Sequence, residues 1–456
     1  MKRILMRMAI AVILLSSTFT IAQAQYSSGN SPDGEIDLSL YEIDLVSGGK
    51  VIDRGIIGIL SENAPSHYQA GKLPRFAIMG REKQFYLGIG GYVRGTVAFD
   101  WGNPINNPNY FITSNIKRPD INGDGTSDAG NGGKTQISMG TTNLFFNFVA
   151  MPGSENQIGA YIDFNFDKAQ YGLDLKHAYM TWRGFMAGYN YSIFADQQCI
   201  PTTVDFEGAP SLATVRTSML SWSARLYNMS MGIAIESPIF SITEGEHARL
   251  VNQRMPSIPL YIKYAWSDKS HTRVSAIMRN IQYRNMLTSK NKDRFGWGVQ
   301  LSGVWNVLDM VNLYYQGVYG DGVADYIQDL SGMHLDMVPD PHHEGKLKGT
   351  QQLGYMGGIR INYSKNLFSN HMYSQVRNYA KNYKDMNGYA LNSNTATSES
   401  LEWGDQYKYG QYLCNNIFYT YGQLQLGLEH IWGARKNMGG EFRHDNRIQF
   451  MAQINF

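Results

Sequence analysis

The closing stretch Asn446-Arg447-Ile448-Gln449-Phe450-Met451-Ala452-Gln453-Ile454-Asn455-Phe456 decides the fold. Arg447, Gln449, Met451, Gln453 and Asn455 alternate with Ile448, Phe450, Ala452, Ile454 and Phe456. Successive side chains of a strand point to opposite faces, so the segment carries one polar and one apolar face. Such a strand can bury one side in lipid while the other faces water, which is the pattern of a transmembrane barrel.

The opposite end of the chain agrees. Lys2, Arg3 and Arg7 precede the apolar run 8–15, and Ala22-Gln23-Ala24 is a small-x-small cleavage site, so residues 1–24 read as a secretion signal. The expected mature start is Gln25, with no Cys behind the cleavage point to carry a lipid anchor. The apolar run is too short for a retained spanning helix, and no long uncharged apolar run follows it. A membrane protein without spanning helices must pair every backbone donor and acceptor in a closed barrel. An alternating strand that stops on Phe456 resembles the signal read by the barrel-assembly machinery of the outer membrane. The expected location is therefore the cell outer membrane, with the barrel wall against its lipid.

Composition is consistent with this. Mean hydropathy is -0.33, yet 13% of the 456 residues are aromatic, with 30 Tyr and 47 Gly. That is too polar for helical spans and too aromatic for a disordered chain. The net charge of +2 comes without a basic block, so nucleic acid is not an expected partner. Cys199 and Cys414 alone make no disulfide framework.

Period-two segments fill residues 84–456, and they count to about sixteen strands of an all-β, antiparallel transmembrane barrel. Short turns at Arg183-Gly184, Tyr227-Asn228, Leu308-Asp309 and Lys365-Asn366 alternate with long connections over 102–134, 196–213, 241–257, 321–351 and 380–406. The short turns are expected on the periplasmic side and the long loops outside the cell. A barrel of this size is expected to leave an aqueous lumen. Residues 25–83 lack alternation and read as a periplasmic extension or partial plug; their apolar piece 52–60 fits either a short strand or a plug at the barrel mouth.

Face assignment places Arg94, Arg225, Lys263, Arg279, Arg360, Arg377, Arg435 and Arg447 inward, against the fewer acids Asp163, Asp167, Glu236 and Glu429. An excess of lumen cations favours passage of anions, and replacing Arg94, Arg360 and Arg447 by Gln is then expected to weaken that preference. The alternative for each is pairing with a nearby carboxylate. A one-residue slip reverses a face, and the strands of Arg279 and Arg377 alternate poorly.

The segment 196–210 is the third outward loop and holds Pro201-Thr202 and Asp205-Phe206-Glu207-Gly208. Together with the early strand GYVRGTVAFD, the HAYMTW strand, the late LGLEHIWGAR and the terminal Phe456, this order of pieces resembles the DcaP-like trimeric porin family, related to the phosphate-selective porins. The resemblance covers most of the chain from about Gln84. It implies a sixteen-strand homotrimeric channel for small anionic solutes, dicarboxylates or phosphate among them, with Asp205 and Glu207 in a constricting loop. Residues 26–83 lack the heptads of the coiled coil found in some relatives. Each of the two carboxylates can equally bond its own turn, as Asp does readily.

In the first long loop Asp120, Asn122, Asp124, Thr126 and Asp128, with Gly125 at the sharp turn, match the start of a calcium loop. The twelfth position is Asn131 instead of Glu, so a solvated loop competes with a structural calcium site; no other cofactor is expected. No G-x-S-x-G elbow or H-E-x-x-H helix is present, and His334, His342 and His343 lack helical spacing, so no enzyme is expected. The rival to a porin is a surface adhesion or structural barrel with a closed lumen.

Overall fold

The structure, a computed structural model, describes residues 54–65, 76–80, 84–116, 133–380 and 406–456, with 43–45, 49–51, 390–391, 401–402 and the single residues 74 and 404. The signal 1–24 and the candidate calcium loop 120–128 lie outside the described residues.

Sixteen antiparallel strands close on themselves, as the alternation predicts. In chain order they are β1 (Phe85–Gly102), β2 (Lys134–Ser138 and Asn143–Ala150), β3 (Ile158–Lys168), β4 (Gly172–Trp182), β5 (Phe185–Tyr191) and β6 (Arg216–Leu226). Then follow β7 (Met229–Glu236), β8 (Ile258–Ser267), β9 (Ser270–Asn285), β10 (Lys290–Leu308) and β11 (Val311–Asp321). The last are β12 (Gln351–Asn362), β13 (Leu367–Tyr379), β14 (Tyr407–Tyr421), β15 (Leu424–Asn437) and β16 (Phe442–Asn455). Each strand pairs with the next, and β16 returns to β1 with Asn455 opposite Tyr92 and Asp445 opposite Gly102. Gly91 and Phe456 exchange backbone hydrogen bonds of 2.9 Å in each direction, which finishes the seam. Closure removes the unpaired edges that an open sheet would expose.

β10 begins at Lys290 and β16 at Phe442, both earlier than hydrophobic alternation indicates. The extra residues, Lys290, Lys292 and Arg294 among them, pair through backbone bonds with Arg284, Tyr283 and their neighbours, and need no apolar face. The outer wall is apolar: Met229, Met231, Ile233 and Ile235 of β7 are all exposed. At the short-turn end Trp182, Tyr227, Trp266, Trp305, Tyr363 and Tyr421 are exposed, forming the aromatic girdle expected where lipid meets water.

The apolar piece 52–60 is not a strand: its described part belongs to helix α1 (Arg54–Asn63). Ile56, Ile57 and Leu60 are buried against the inward-facing Tyr86 and Val149. Asn63 fastens the end of α1 to the inner wall. Its Nδ2 donates to Asn147 Oδ1 at 2.6 Å, its carbonyl accepts from Tyr179 at 2.8 Å, and its Oδ1 accepts from Thr181 at 2.8 Å. Gly159 admits this side chain, since a Cβ there would lie 1.8 Å from Asn63 Oδ1. The helix therefore sits in the short-turn mouth against β1–β4.

The interior departs from the open aqueous lumen expected above. Loops enter it and pack: Ile105, Phe111, Ile200 and Leu212 cluster with the wall residues Tyr314, Met356, Met372, Tyr412 and Ile431. A second cluster joins Phe194 and Ala213 to Val323, Tyr326, Ile327 and Leu330. Burial of these apolar side chains stabilises the inward loop fold at roughly 25 cal/mol per Å² of apolar area removed from water. Gly433 lets Phe111 lie directly on the wall, because a Cβ there would meet its ring at 2.2 Å.

Candidate functional site

Three outer loops, numbered from the β1–β2 connection, meet inside the barrel: L1, in its described part 103–116, L3 (192–215) and L6 (322–350). L3 is fixed at both ends of its crossing. Near its start, Asp196 Oδ2 lies 3.0 Å from His271 Nε2 and accepts from Ser302 at 2.8 Å. At its far side the carboxylate of Glu429 accepts from the backbone N–H groups of Val204 and Asp205, each at 2.8 Å, and from Asn416 and Gln449 at 2.8 and 2.7 Å. Ser374 donates to Ser211 at 2.8 Å, and Gln316 donates to the Ser211 carbonyl at 2.9 Å.

Asp205, expected in a constricting loop, does lie in L3, where it ties loops together. Its Oδ1 accepts from the N–H of Phe111 in L1 at 2.9 Å and of Glu207 at 3.2 Å, and its Oδ2 accepts from Tyr412 at 3.0 Å. L6 joins in the same way: Asp329 accepts from the N–H of Thr113 at 2.7 Å, and Gln328 donates to the Glu207 carbonyl at 2.7 Å. Burial, reinforced by Asp329 and Asp205, pushes the Glu207 carboxyl up to about 8. Burial and Glu429 raise Asp205 to about 7.

Where the loops leave space, a cavity of about 190 Å³ remains, bounded by Tyr110, Lys176, Tyr191, Phe206, Glu207, Arg216 and the start of L6. Lys176 is held by Asp167 at 2.8 Å and Asp174 at 2.6 Å. The Arg216 guanidinium lies 4.2 Å from the Tyr191 ring centroid and has no ion pair among the described residues. Burial favours the protonated form of Glu207, and the cavity lining carries Arg216 and Lys176 beside Asp325.

A second basic feature lies nearer the short turns. Arg225, Ser230, Lys263 and Arg273 are successive register partners on β6, β7, β8 and β9. Lys263 sits directly opposite Arg273, and neither makes an ion pair among the described residues. Lys263 donates to Gln198 of L3, and Arg273 donates to the Ile193 carbonyl and lies 3.9 Å from the Tyr261 ring centroid. Like charges directly opposite each other weaken a sheet; here both bases bond L3 and lie within electrostatic reach of its buried Asp196.

The other expected pore cations serve different ends. Arg94 donates to the Val204 carbonyl and lies 5.5 Å from the Phe206 ring centroid, holding L3. Arg279 bonds Asp336 at 3.0 Å and the carbonyls of Gly322 and Ile239. Arg360 lies 3.7 Å from the Phe368 ring centroid and donates to Asn362 at 2.7 Å. Arg435 donates to the Ser114 carbonyl of L1, and Arg447 pairs with Asp100. Arg377 is a correction: it shares the outward face with Tyr373 and Gln375, while Ser374, Val376 and Asn378 are buried inward. Among the acids on the inner face, Asp163 lies 2.7 Å from His177, and Glu236 accepts from Tyr326 at 3.0 Å.

Lys176, Arg216 and Arg273 escaped the sequence reading. β4 carries an irregularity at Lys176, since Asp163 pairs with His177 but the next residue, Phe164, pairs with Leu175. A bulge of this kind places neighbours on one face and breaks the two-residue count. Among the described residues no three His, Cys, Asp or Glu side chains converge as a metal site.

No family model matches the chain, and no curated protein matches it. Among solved structures it is similar to the outer membrane channel DcaP of Acinetobacter baumannii, with TM-score 0.66 and 19% identity over 83% of this chain and 99% of that one. The anion-selective porin from Comamonas acidovorans aligns at TM-score 0.48 and 9% identity, over 82% of this chain and 100% of that one. OmpT of Vibrio cholerae aligns at TM-score 0.49 and 8% identity, over 83% of this chain and 99% of that one. At these identities the likeness concerns the fold: the chain is a closed sixteen-stranded barrel of the kind seen in the DcaP outer membrane channel.

Proposed function

We propose that the chain is an outer-membrane porin that passes small hydrophilic solutes, preferentially anions such as dicarboxylates or phosphate, and works as a homotrimer inserted by the barrel-assembly machinery. The observation that carries the anion preference is the row Arg225, Lys263 and Arg273 on the inner wall, with Lys263 and Arg273 facing each other without an ion pair among the described residues. Arg216 in the cavity beside L3 supplies a further cation on the same route. Basic side chains lining a pore attract and relay anions.

The closed-lumen reading has its own support, namely the packing of L1, L3 and L6 and the helix α1 in the short-turn mouth. Planar-bilayer recording separates the two. A porin gives steps of conductance whose reversal potential in a salt gradient favours the anion, and Lys263→Gln with Arg273→Gln reduces that preference. A closed barrel gives no conductance.

A further inference from the structure

The backbone bonding of β4 to β5 stops short. Their ladder holds five pairs, from Trp182 opposite Phe185 to Ala178 opposite Tyr189. The neighbouring ladders run further out: β3 pairs with β4 as far as Lys168 opposite Gly172, and β5 with β6 as far as Tyr191 opposite Arg216. The equally short β7–β8 ladder resumes at Glu236 opposite Ser257, whereas the β4–β5 ladder does not resume among the described residues. A strand needs roughly 9–11 residues to cross hydrocarbon, so this seam is bonded over only about half of the crossing. The irregularity at Lys176 lies just beyond the last pair, and a bulge bends its strand, which parts β4 from β5.

Side chains close the gap that backbone bonds leave. The Tyr191 ring lies 5.2 Å from the His177 ring across it, and the Arg216 guanidinium sits on the Tyr191 ring. Tyr191 and Arg216 follow the outward alternation of Phe185, Leu220 and Trp222, all exposed, while Thr217, Met219 and Ser221 are buried. The same two side chains nevertheless line the cavity together with Lys176, Phe206 and Glu207. A cavity that touches residues of both wall faces reaches through the wall. On the β4 side of the gap Leu173 and Leu175 are exposed, so apolar surface continues beside it.

We propose that the gap is a lateral port through which the cavity exchanges long-chain carboxylates, single-chain amphiphilic anions, with the membrane. Such an occupant suits both ends of the site: an anionic head for Arg216, and an apolar chain for Leu173 and Leu175 at the mouth. Lys176 is already shared between Asp167 and Asp174, so recognition falls to Arg216, whose parallel donors match the two carboxylate oxygens. Burial favours the protonated form of Glu207, which then offers the head a donor instead of a repelling charge. The cavity of about 190 Å³ is smaller than the roughly 300–1,000 Å³ of sites that enclose a whole ligand, so it holds the head while the chain stays in the gap. Opening requires rotation of Tyr191 and no broken ladder bond. The inference goes beyond the channel reading, since it concerns exchange with the bilayer and does not depend on the ion preference of the lumen.

The test uses the full chain folded into phosphatidylcholine vesicles, with dodecanoate carrying a diazirine on its chain as the probe. Photolysis and peptide mapping should place adducts on residues 171–176 and 189–191, severalfold above those around Ile233 on β7. Excess dodecanoate should remove them; dodecanol and butanedioate should not. Arg216→Gln should lose the adducts severalfold and Arg216→Lys should keep them, both compared as heat-modifiable folded barrels. Adducts spread evenly over the belt, adducts removed equally by butanedioate, or wild-type labelling of Arg216→Gln would each overturn the port. Protection by phosphatidylglycerol and not by dodecanoate would make the occupant a two-chain lipid and overturn the carboxylate. If Arg216→Gln does not fold, the competition in the wild type decides alone. An anion-preferring reversal potential keeps the channel reading standing whichever way the labelling falls.

Discussion

Arg447 of β16 and Asp100 of β1 are direct register partners across the seam that closes the barrel, both fully buried, with Nε–Oδ1 at 2.5 Å and Nη2–Oδ2 at 2.8 Å. The guanidinium also lies 5.1 Å from the centroid of Phe111, so one pair joins first strand, last strand and L1. Removing one member strands a buried charge, a loss of about 3–5 kcal/mol. Arg447→Gln or Asp100→Asn should therefore lower the temperature at which the folded band converts to the unfolded band in detergent gels, with the double variant recovering much of the loss. Because the charges cancel, the double variant Arg447→Gln with Asp100→Asn should leave ion preference nearly unchanged, in contrast to the pore-lining role expected of Arg447 from sequence.

Helix α1 should restrict the short-turn mouth. Asn63→Ala removes its hydrogen bonds to Asn147 and Thr181, and Gly159→Ala pushes a methyl group into the place Asn63 occupies. Both variants are expected to raise single-channel conductance severalfold or lengthen open times; wild-type conductance in both would show that α1 does not obstruct flow.

Glu207 is expected to make the packing of L3 pH-dependent. Burial, with Asp329 and Asp205 nearby, pushes its carboxyl up to about 8 from an ordinary value of 4.5. A raised folded value means the fold binds more protons than the unfolded chain between these limits, so the seating of L3 weakens as pH rises from about 4.5 to about 8. Anion preference should fall as pH increases from 7 to 9, as the new negative charge offsets Arg216. Glu207→Gln should flatten that profile, and a profile unchanged by the substitution would remove Glu207 from the pore.

The anchors of L3 give a further expectation. Glu429→Gln replaces one carboxylate oxygen with an amide nitrogen beneath the Val204 and Asp205 N–H groups, leaving one of them without an acceptor. A buried donor left without an acceptor costs about 1–3 kcal/mol. Recordings of this variant should show more frequent current fluctuation than the wild type, with the folded barrel retained.

Strand number and turn placement were legible in the sequence because alternation repeats in every hairpin and a closed barrel tolerates no edge. Tyr227-Asn228 and Lys365-Asn366 mark their turns through composition alone. What the lumen holds was not legible, because the same inward face suits water and a folded loop equally. Arg94 and Arg447 look identical to Lys263 in a face assignment; only long-range contacts distinguish Arg447, which pairs with Asp100, from Arg94 and Lys263, which reach L3 at Val204 and Gln198. Arg377 was misplaced because Tyr373, Gln375 and Arg377 give the outward face of β13 a polar pattern, so alternation pointed the wrong way. Lys176 was lost to the irregular pairing of β4, and α1 to a length too short for its helical period to stand out.

The most direct test is the zero-current potential of single channels across a tenfold potassium chloride gradient at neutral pH, for the wild type and for Lys263→Gln with Arg273→Gln. The account predicts an open pore whose potential has the sign of chloride preference and moves toward zero in the double variant. A membrane that stays silent even when α1 is released by Gly159→Ala, or a cation-preferring potential indifferent to Lys263 and Arg273, would contradict it.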